Sequence, residues 1–241
     1  TTALKALCPG LARVHALVRA VVLPVGLVLS ACVSFPDSTS PDSRSTALQS
    51  SGLAQEISEE QKLIVEGGAS LVGKERLEVH GTVYPNDCTG VVRAAYAFAY
   101  MDLAFRFGKY EGNGVRRLFS TLNDAGLIYS VTLPAPGDLI FWDNTWDANS
   151  NGLIDDELTH VGVVISVEPD GDIRYLHYNY TVGPVIERMN LLKPGDTERD
   201  EEGLVNSALR MRSAPKGIGS GSASLYRVFG QGYRLDFPGR P

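Results

Sequence analysis

The chain has 241 residues and more acidic than basic side chains, 28 against 22, for a formal net charge of −6. Nucleic-acid binding needs clustered Lys and Arg, so that class is excluded. The length is enough for one sizeable core, and no apolar stretch after residue 31 approaches membrane-spanning length.

Residues 1–31 contain Lys5, Arg13 and Arg19 and no acid. They end in the apolar run Ala20-Val21-Val22-Leu23-Pro24-Val25-Gly26-Leu27-Val28-Leu29. A basic start, a short Pro-broken apolar run and small residues before a cut predict a secretory signal, not a membrane span. Leu29-Ser30-Ala31-Cys32 resembles a bacterial lipobox, which implies that Cys32 is lipidated and becomes the new N-terminus. The alternative is simple secretion after a cut near Ala31. Val33, not Asp, follows Cys32, which resembles outer-membrane sorting. In a Gram-negative host the expected location is then the outer membrane, facing the periplasm.

The chain has three cysteines: Cys8, Cys32 and Cys88. On this reading Cys8 is discarded and Cys32 is blocked. Cys88 is then the one free thiol of an exported protein, and a disulfide within the mature chain is excluded.

Residues 32–52 are rich in Ser, Pro and Asp and read as a flexible tether. Residues 53–241 read as one domain. Ser58-Glu59-Glu60-Gln61 has the form of a capping box, opening a helix with Ile64, Val65, Ala69 and Leu71 on one face. A second helix is predicted over residues 87–107, and a third over 115–125, stopped by Gly126. Strands follow at 138–142 and 160–167. After a turn at Pro169-Asp170-Gly171, a hairpin partner runs over 173–178. Helices first and an antiparallel sheet afterwards predict an α+β domain. Residues 191–203 read as a polar loop, 207–212 as a further strand, and the Gly/Ser-rich stretch 217–224 as a mobile segment.

Cys88 carries the chemistry. Pro85-Asn86-Asp87 is turn-like, so Asp87 caps the second helix and Cys88 falls in its first turn. Unpaired N–H groups and the helix dipole there favour a thiolate. A Cys nucleophile needs a base, usually His, and a partner that orients it. His160 opens one strand and His177 ends its hairpin partner, 17 residues on, which places both at one sheet end. His80 reads as an exposed loop residue.

Asp87-Cys88-Thr89-Gly90-Val91-Val92, Pro136-Gly137-Asp138-Leu139-Ile140-Phe141-Trp142 and Thr159-His160-Val161-Gly162-Val163-Val164 occur in that order. Together they resemble the helix start and two strands of NlpC-type and CHAP cysteine peptidases. The spacing from His160 to His177 is closer to CHAP, and Thr89 replaces the usual Ser. The resemblance implies a papain-like fold, with the N-terminal helices packed on an antiparallel sheet, and hydrolysis of peptidoglycan amide bonds. It implies Cys88 as nucleophile, His160 as base and a third polar residue, His177 or Asn179. The implied partners are peptidoglycan and, through Cys32, a membrane. A monomer is expected, with no cofactor required. Two alternatives remain: a catalytically inactive wall-binding or scaffold lipoprotein on the same fold, and an amide hydrolase or transferase with a non-wall substrate.

The loop before His160 reads Asp147-Ala148-Asn149-Ser150-Asn151-Gly152-Leu153-Ile154-Asp155. Oxygen side chains alternating around a glycine suit a structural Ca²⁺ held by Asp147, Asn149, Asn151 and Asp155 with the Leu153 carbonyl. Leu158 stands where a calcium loop of the EF-hand type has Glu, so the alternative is a solvated loop of Asx turns.

Overall fold

In the computed structural model, α1 (Glu59–Ser70) starts on the expected capping box. The Gln61 N–H donates to Ser58 Oγ, and the Ser58 N–H donates to Gln61 Oε1. Residues 56–211 and 219–239 are described, all within the unit Ser51–Pro241. The signal segment with Cys8, the lipidation site Cys32 and the tether lie outside the described residues.

The buried face of α1 differs from the expected one. Gln61, Ile64, Gly67 and Gly68 are buried and Leu71 caps the helix, while Ala69 is exposed. Glycines form this contact because the next helix comes very close. A Cβ on Gly67 would stand 2.3 Å from the Phe98 ring.

A short hairpin follows, β1 (Leu77–Val79) with β2 (Thr82–Tyr84). His80 sits at its turn, exposed, with φ 50°. α2 (Cys88–Ala97) then begins at the expected cap but ends ten residues earlier than the apolar pattern suggested. Tyr100 adopts φ 57°, a left-handed conformation that breaks the helix, and the chain runs on irregularly to a short 3-10 helix at Phe107–Lys109. The apolar residues beyond the break, Met101 and Leu103, are buried all the same, which is why they mimic a continuing helix. α3 (Gly114–Asp124) is the third helix, followed by Gly126 at φ 67°.

The remaining strands are β3 (Ile128–Tyr129), β4 (Leu139–Trp142), β5 (His160–Val167), β6 (Asp172–Asn179), β7 (Gly183–Asn190), β8 (Arg199–Asp200) and β9 (Gly203–Leu204). α4 (Ser222–Leu225) and β10 (Tyr226–Gly230) follow. The main sheet is antiparallel, in the order β3-β10-β4-β5-β6-β7. This is the α+β, papain-like architecture the motifs imply.

Side chains alternate across it. Leu139, Phe141, Val161, Val163 and Leu176 face the core under α1 and α2. Ile140, Trp142, Val164, Ile173 and Tyr175 face a second core, closed by Leu209, Ala223, Leu225 and Phe229.

That second core explains two differences in the tail. The predicted strand at 207–212 is reduced, over its described part, to one bridge between Ala208 and Gly221. The Gly/Ser-rich stretch, expected to be mobile, is held from residue 219 onward. The Ser222 N–H donates to Ser207 O at 2.9 Å, and Trp142 Nε1 donates to Ser222 O at 2.9 Å. A buried indole N–H needs an acceptor, and the small residues let the chain come close enough to supply one.

Candidate active site

Cys88 is the first residue of α2. Asp87 Oδ1 accepts the Gly90 N–H at 2.7 Å, and Asp87 O accepts the Val91 N–H at 3.0 Å. Gly90 has no substitute here, because a Cβ would lie 1.8 Å from Pro85 O. The Asp-Cys-Thr-Gly sequence thus folds the chain tightly into the helix and sets the thiol at its start.

The thiol is buried, 7% exposed. The Thr89 side chain and the backbone of Thr89 and Val161 lie close enough to polarise it. These lower its pKa, but burial and the nearby Asp87 carboxylate outweigh them and push it up to about 11. The expected thiolate is therefore not the resting form. The helix start is where the sequence places it, but the carboxylate that caps the helix also repels a thiolate.

His160 is the first residue of β5, opposite Trp142 of β4. Its position is fixed from below. Thr159 Oγ1 accepts from the Thr145 N–H at 3.0 Å and the Thr145 hydroxyl at 2.9 Å. Asp143 accepts the Leu158 N–H at 2.7 Å and is held in turn by Arg227 at 2.9 Å. Leu158 itself has φ 55°, a left-handed turn that swings the chain into the strand.

The His160 ring packs against Trp142 with centroids 5.7 Å apart, and the His177 ring against Tyr175 at 5.4 Å. Both rings thus belong to the second-core face, and His160 Nε2 meets His177 Nδ1 at 3.0 Å. Burial first, and the neighbouring His177 second, hold the His160 pKa well below 6.5.

The structure brings His160, His177 and a third group together. That group is Glu187 on β7, which the sequence reading missed. Its Oε2 lies 3.1 Å from His177 Nε2, without the alignment of a good hydrogen bond. Asn179, the alternative orienter, does not bond His160. Its Oδ1 accepts the Thr181 N–H at 2.9 Å, and its Nδ2 lies 3.5 Å from Glu187 Oε1. Cys88 is placed against the backbone of the residue after His160, and among the described residues no hydrogen bond joins the thiol to either histidine.

A cavity of about 490 Å³ opens over the histidines, lined among others by Trp146, His160, His177, Asn179, Tyr180 and Arg210. Tyr180, on the β6–β7 turn, lies between the cavity and Cys88. The pKa of Tyr180 is raised by burial and then by Cys88 and Asp87.

The residues of the 147–157 loop are gathered by hydrogen bonds among themselves. Asp147 accepts the N–H groups of Asn151 and Gly152 at 3.2 and 3.0 Å. Asp155 accepts the side-chain amides of Asn149 and Asn151, both at 3.0 Å. Leu153 is exposed. Among the described residues no three His, Cys, Asp or Glu side chains group as metal ligands.

A helix-start cysteine beside an antiparallel sheet that ends in histidine is the framework of a papain-like hydrolase. The family model of the CHAP domain matches residues 79–179. CHAP domains are generally hydrolases that act on peptidoglycan. The match contains Cys88, His160, His177 and Asn179 and stops before β7 and Glu187. No curated protein matches the chain.

Proposed function

We propose that the protein is a lipid-anchored cell-wall hydrolase that cleaves peptidoglycan amide bonds. Cys88 is the nucleophile, His160 the base and His177 the residue that orients it. The observation that carries this reading is the ordered contact of His160 Nε2 with His177 Nδ1 at 3.0 Å, beside the strand backbone that receives the Cys88 thiol.

Both partners rest neutral, so catalysis begins with a proton transfer. His160 takes the thiol proton as sulfur attacks the amide carbonyl, then gives it to the leaving amine. Water hydrolyses the resulting thioester, with His160 again as base. Cys88 is the first helical residue, so its own N–H has no intrahelical acceptor and suits a developing oxyanion.

Digestion of purified peptidoglycan, with products identified by mass, tests the reading. The expected products carry a new amine and a new carboxylate. An unchanged digest at every pH would overturn it. A second reading, an inactive wall-binding domain, is favoured by one observation, the burial of Cys88. Peptidoglycan binding without cleavage would decide for it.

Lipidation of Cys32 would tether the domain through residues 33–52. Replacing Cys32 by Ser should move the protein out of the membrane fraction. An unchanged fractionation would support simple secretion.

A further inference from the structure

Glu187 is a half-buried carboxylate that the proposed mechanism leaves unused. We propose that Glu187 is a positioning residue that fixes, through His177, which nitrogen of His160 is free to take a proton. The catalytic meaning of this role rests on the hydrolase reading, and its geometric basis does not.

The β6–β7 register pairs Tyr175 with Glu187 and His177 with Val185. Glu187 therefore shares the face of Tyr175 and His177, one step along the strand. Its side chain is 20% exposed, whereas that of His177 is 3% exposed. Among the described residues, Trp142 from β4, Tyr175 and Asn179 from β6, and Glu187 from β7 stand against the histidine pair, and Arg210 lines the cavity over it. Glu187 is the carboxylate among them, and Tyr175 is held neutral by burial.

A neutral imidazole carries one N–H, and a carboxylate only accepts. A bare His177 Nε2 would set a lone pair against Glu187 Oε2 at 3.1 Å. The His177 proton is therefore placed on Nε2, and its Nδ1 becomes an acceptor. That acceptor lies 3.0 Å from His160 Nε2, so His160 donates from Nε2. Its Nδ1 is then left bare, which makes it the atom that can take a thiol proton. The opposite arrangement would put the proton on His160 Nδ1 and leave no base there. Glu187 itself takes no proton.

The test is long-range ¹H–¹⁵N spectroscopy of the full chain with labelled histidines, alongside peptidoglycan kinetics. Both His160 and His177 should show the Nε2–H form. Glu187→Leu removes the acceptor and should yield mixed tautomers. It should lower kcat about 10-fold with KM unchanged, because fewer molecules then hold His160 with a bare Nδ1. Glu187→Gln, whose amide oxygen can still accept, should restore most of both. A purely structural Glu187 would change the melting temperature without moving the tautomers. An Nδ1–H form of His160 in the natural protein overturns the proposal, whether or not any variant folds, and so does an unchanged tautomer pattern in Glu187→Leu. If the natural protein shows the expected tautomers but does not cleave peptidoglycan, the hydrolase reading fails and the positioning role stands.

Discussion

The two faces of the main sheet bring different resources to one end of it. The face under α2 is apolar and carries the thiol, among Val161, Val163 and Leu176. The opposite face carries a polar line, His160, His177 and Glu187, set into an aromatic wall of Trp142 and Tyr175. A nucleophile in an apolar setting stays protonated, and a base in a buried setting stays neutral. In the mechanism proposed above, the pair therefore differs from a preformed thiolate–imidazolium couple, and its reactivity would depend on proton transfer at the moment of attack.

The strongest way to break this comparison is to remove one face's contribution. Cys88→Ala should abolish peptidoglycan hydrolysis while the circular dichroism stays native, because a smaller apolar side chain remains in an apolar setting. Residual activity at the natural rate would remove Cys88 from the mechanism. Next in size is Gly90→Ala, which leaves every chemical group in place. Its Cβ would press on Pro85 O at 1.8 Å, so the start of α2 must shift. Overpacking of this kind costs about 1–3 kcal/mol. Denaturant unfolding should show that loss and the digest a slower rate, whereas unchanged values for both would mean that the helix start does not set the thiol.

The pH dependence sharpens the contrast. His160 stays neutral in the native state well below 6.5, while the unfolded chain protonates it there. The unfolded state then binds more protons, so stability is lost as pH falls below 6.5. Cys88 runs the other way. Its pKa is raised from 9.0 to about 11, so the unfolded chain deprotonates first and stability is lost as pH rises above 9.0. Asp138, raised from 3.8 to about 6 by burial, withdraws stability as pH rises through that range, so its effect opposes that of His160. Comparing His160→Gln with the natural protein isolates the histidine. The melting temperature of the variant should fall less between pH 7 and pH 5. Hydrolysis should likewise persist below pH 6.5, and an activity limb centred on an ordinary histidine pKa would contradict the buried neutral base.

The sequence made the helix-start face more legible than its partner. Asp87, Cys88 and Gly90 act through neighbours within a few residues, so their roles can be read locally. His160 and His177 were legible because a short hairpin joins them. Glu187 was not, since its meaning depends on β7 pairing with β6. The run Val185-Ile186-Glu187-Arg188-Met189 places two charges where a strand pattern is expected to stay apolar. Arg188 is explained by ion pairs with Asp172 at 2.9 Å and Asp200 at 2.7 Å, partners no local pattern reveals. The end of α2 is hidden in the sequence for a related reason. Burial of Met101 and Leu103 by tertiary packing resembles the periodicity of a longer helix.

The smallest expected effect concerns the 147–157 loop, which lies between the two strands that carry Trp142 and His160. We propose that it binds one Ca²⁺ through Asp147, Asn149, Asn151 and Asp155 with the Leu153 carbonyl. Its backbone already curls around Asp147, with the Asn151 and Gly152 N–H groups donating to that carboxylate. The two Asn amides, however, turn their N–H groups toward Asp155 at 3.0 Å. A cation would require both amides to present oxygen instead, and the set supplies only two carboxylates. Few charges and a reorganised loop place the affinity in the weak, millimolar range of calcium sites. Titration calorimetry should detect that affinity, and calcium at ten times its Kd should stabilise the domain by about 1.4 kcal/mol. Asp147→Asn should remove the stabilisation without changing hydrolysis in the absence of calcium. If no heat is observed at millimolar Ca²⁺, the loop is a connection closed by its own hydrogen bonds. His160 is then positioned by Thr145, Thr159 and Asp143 alone.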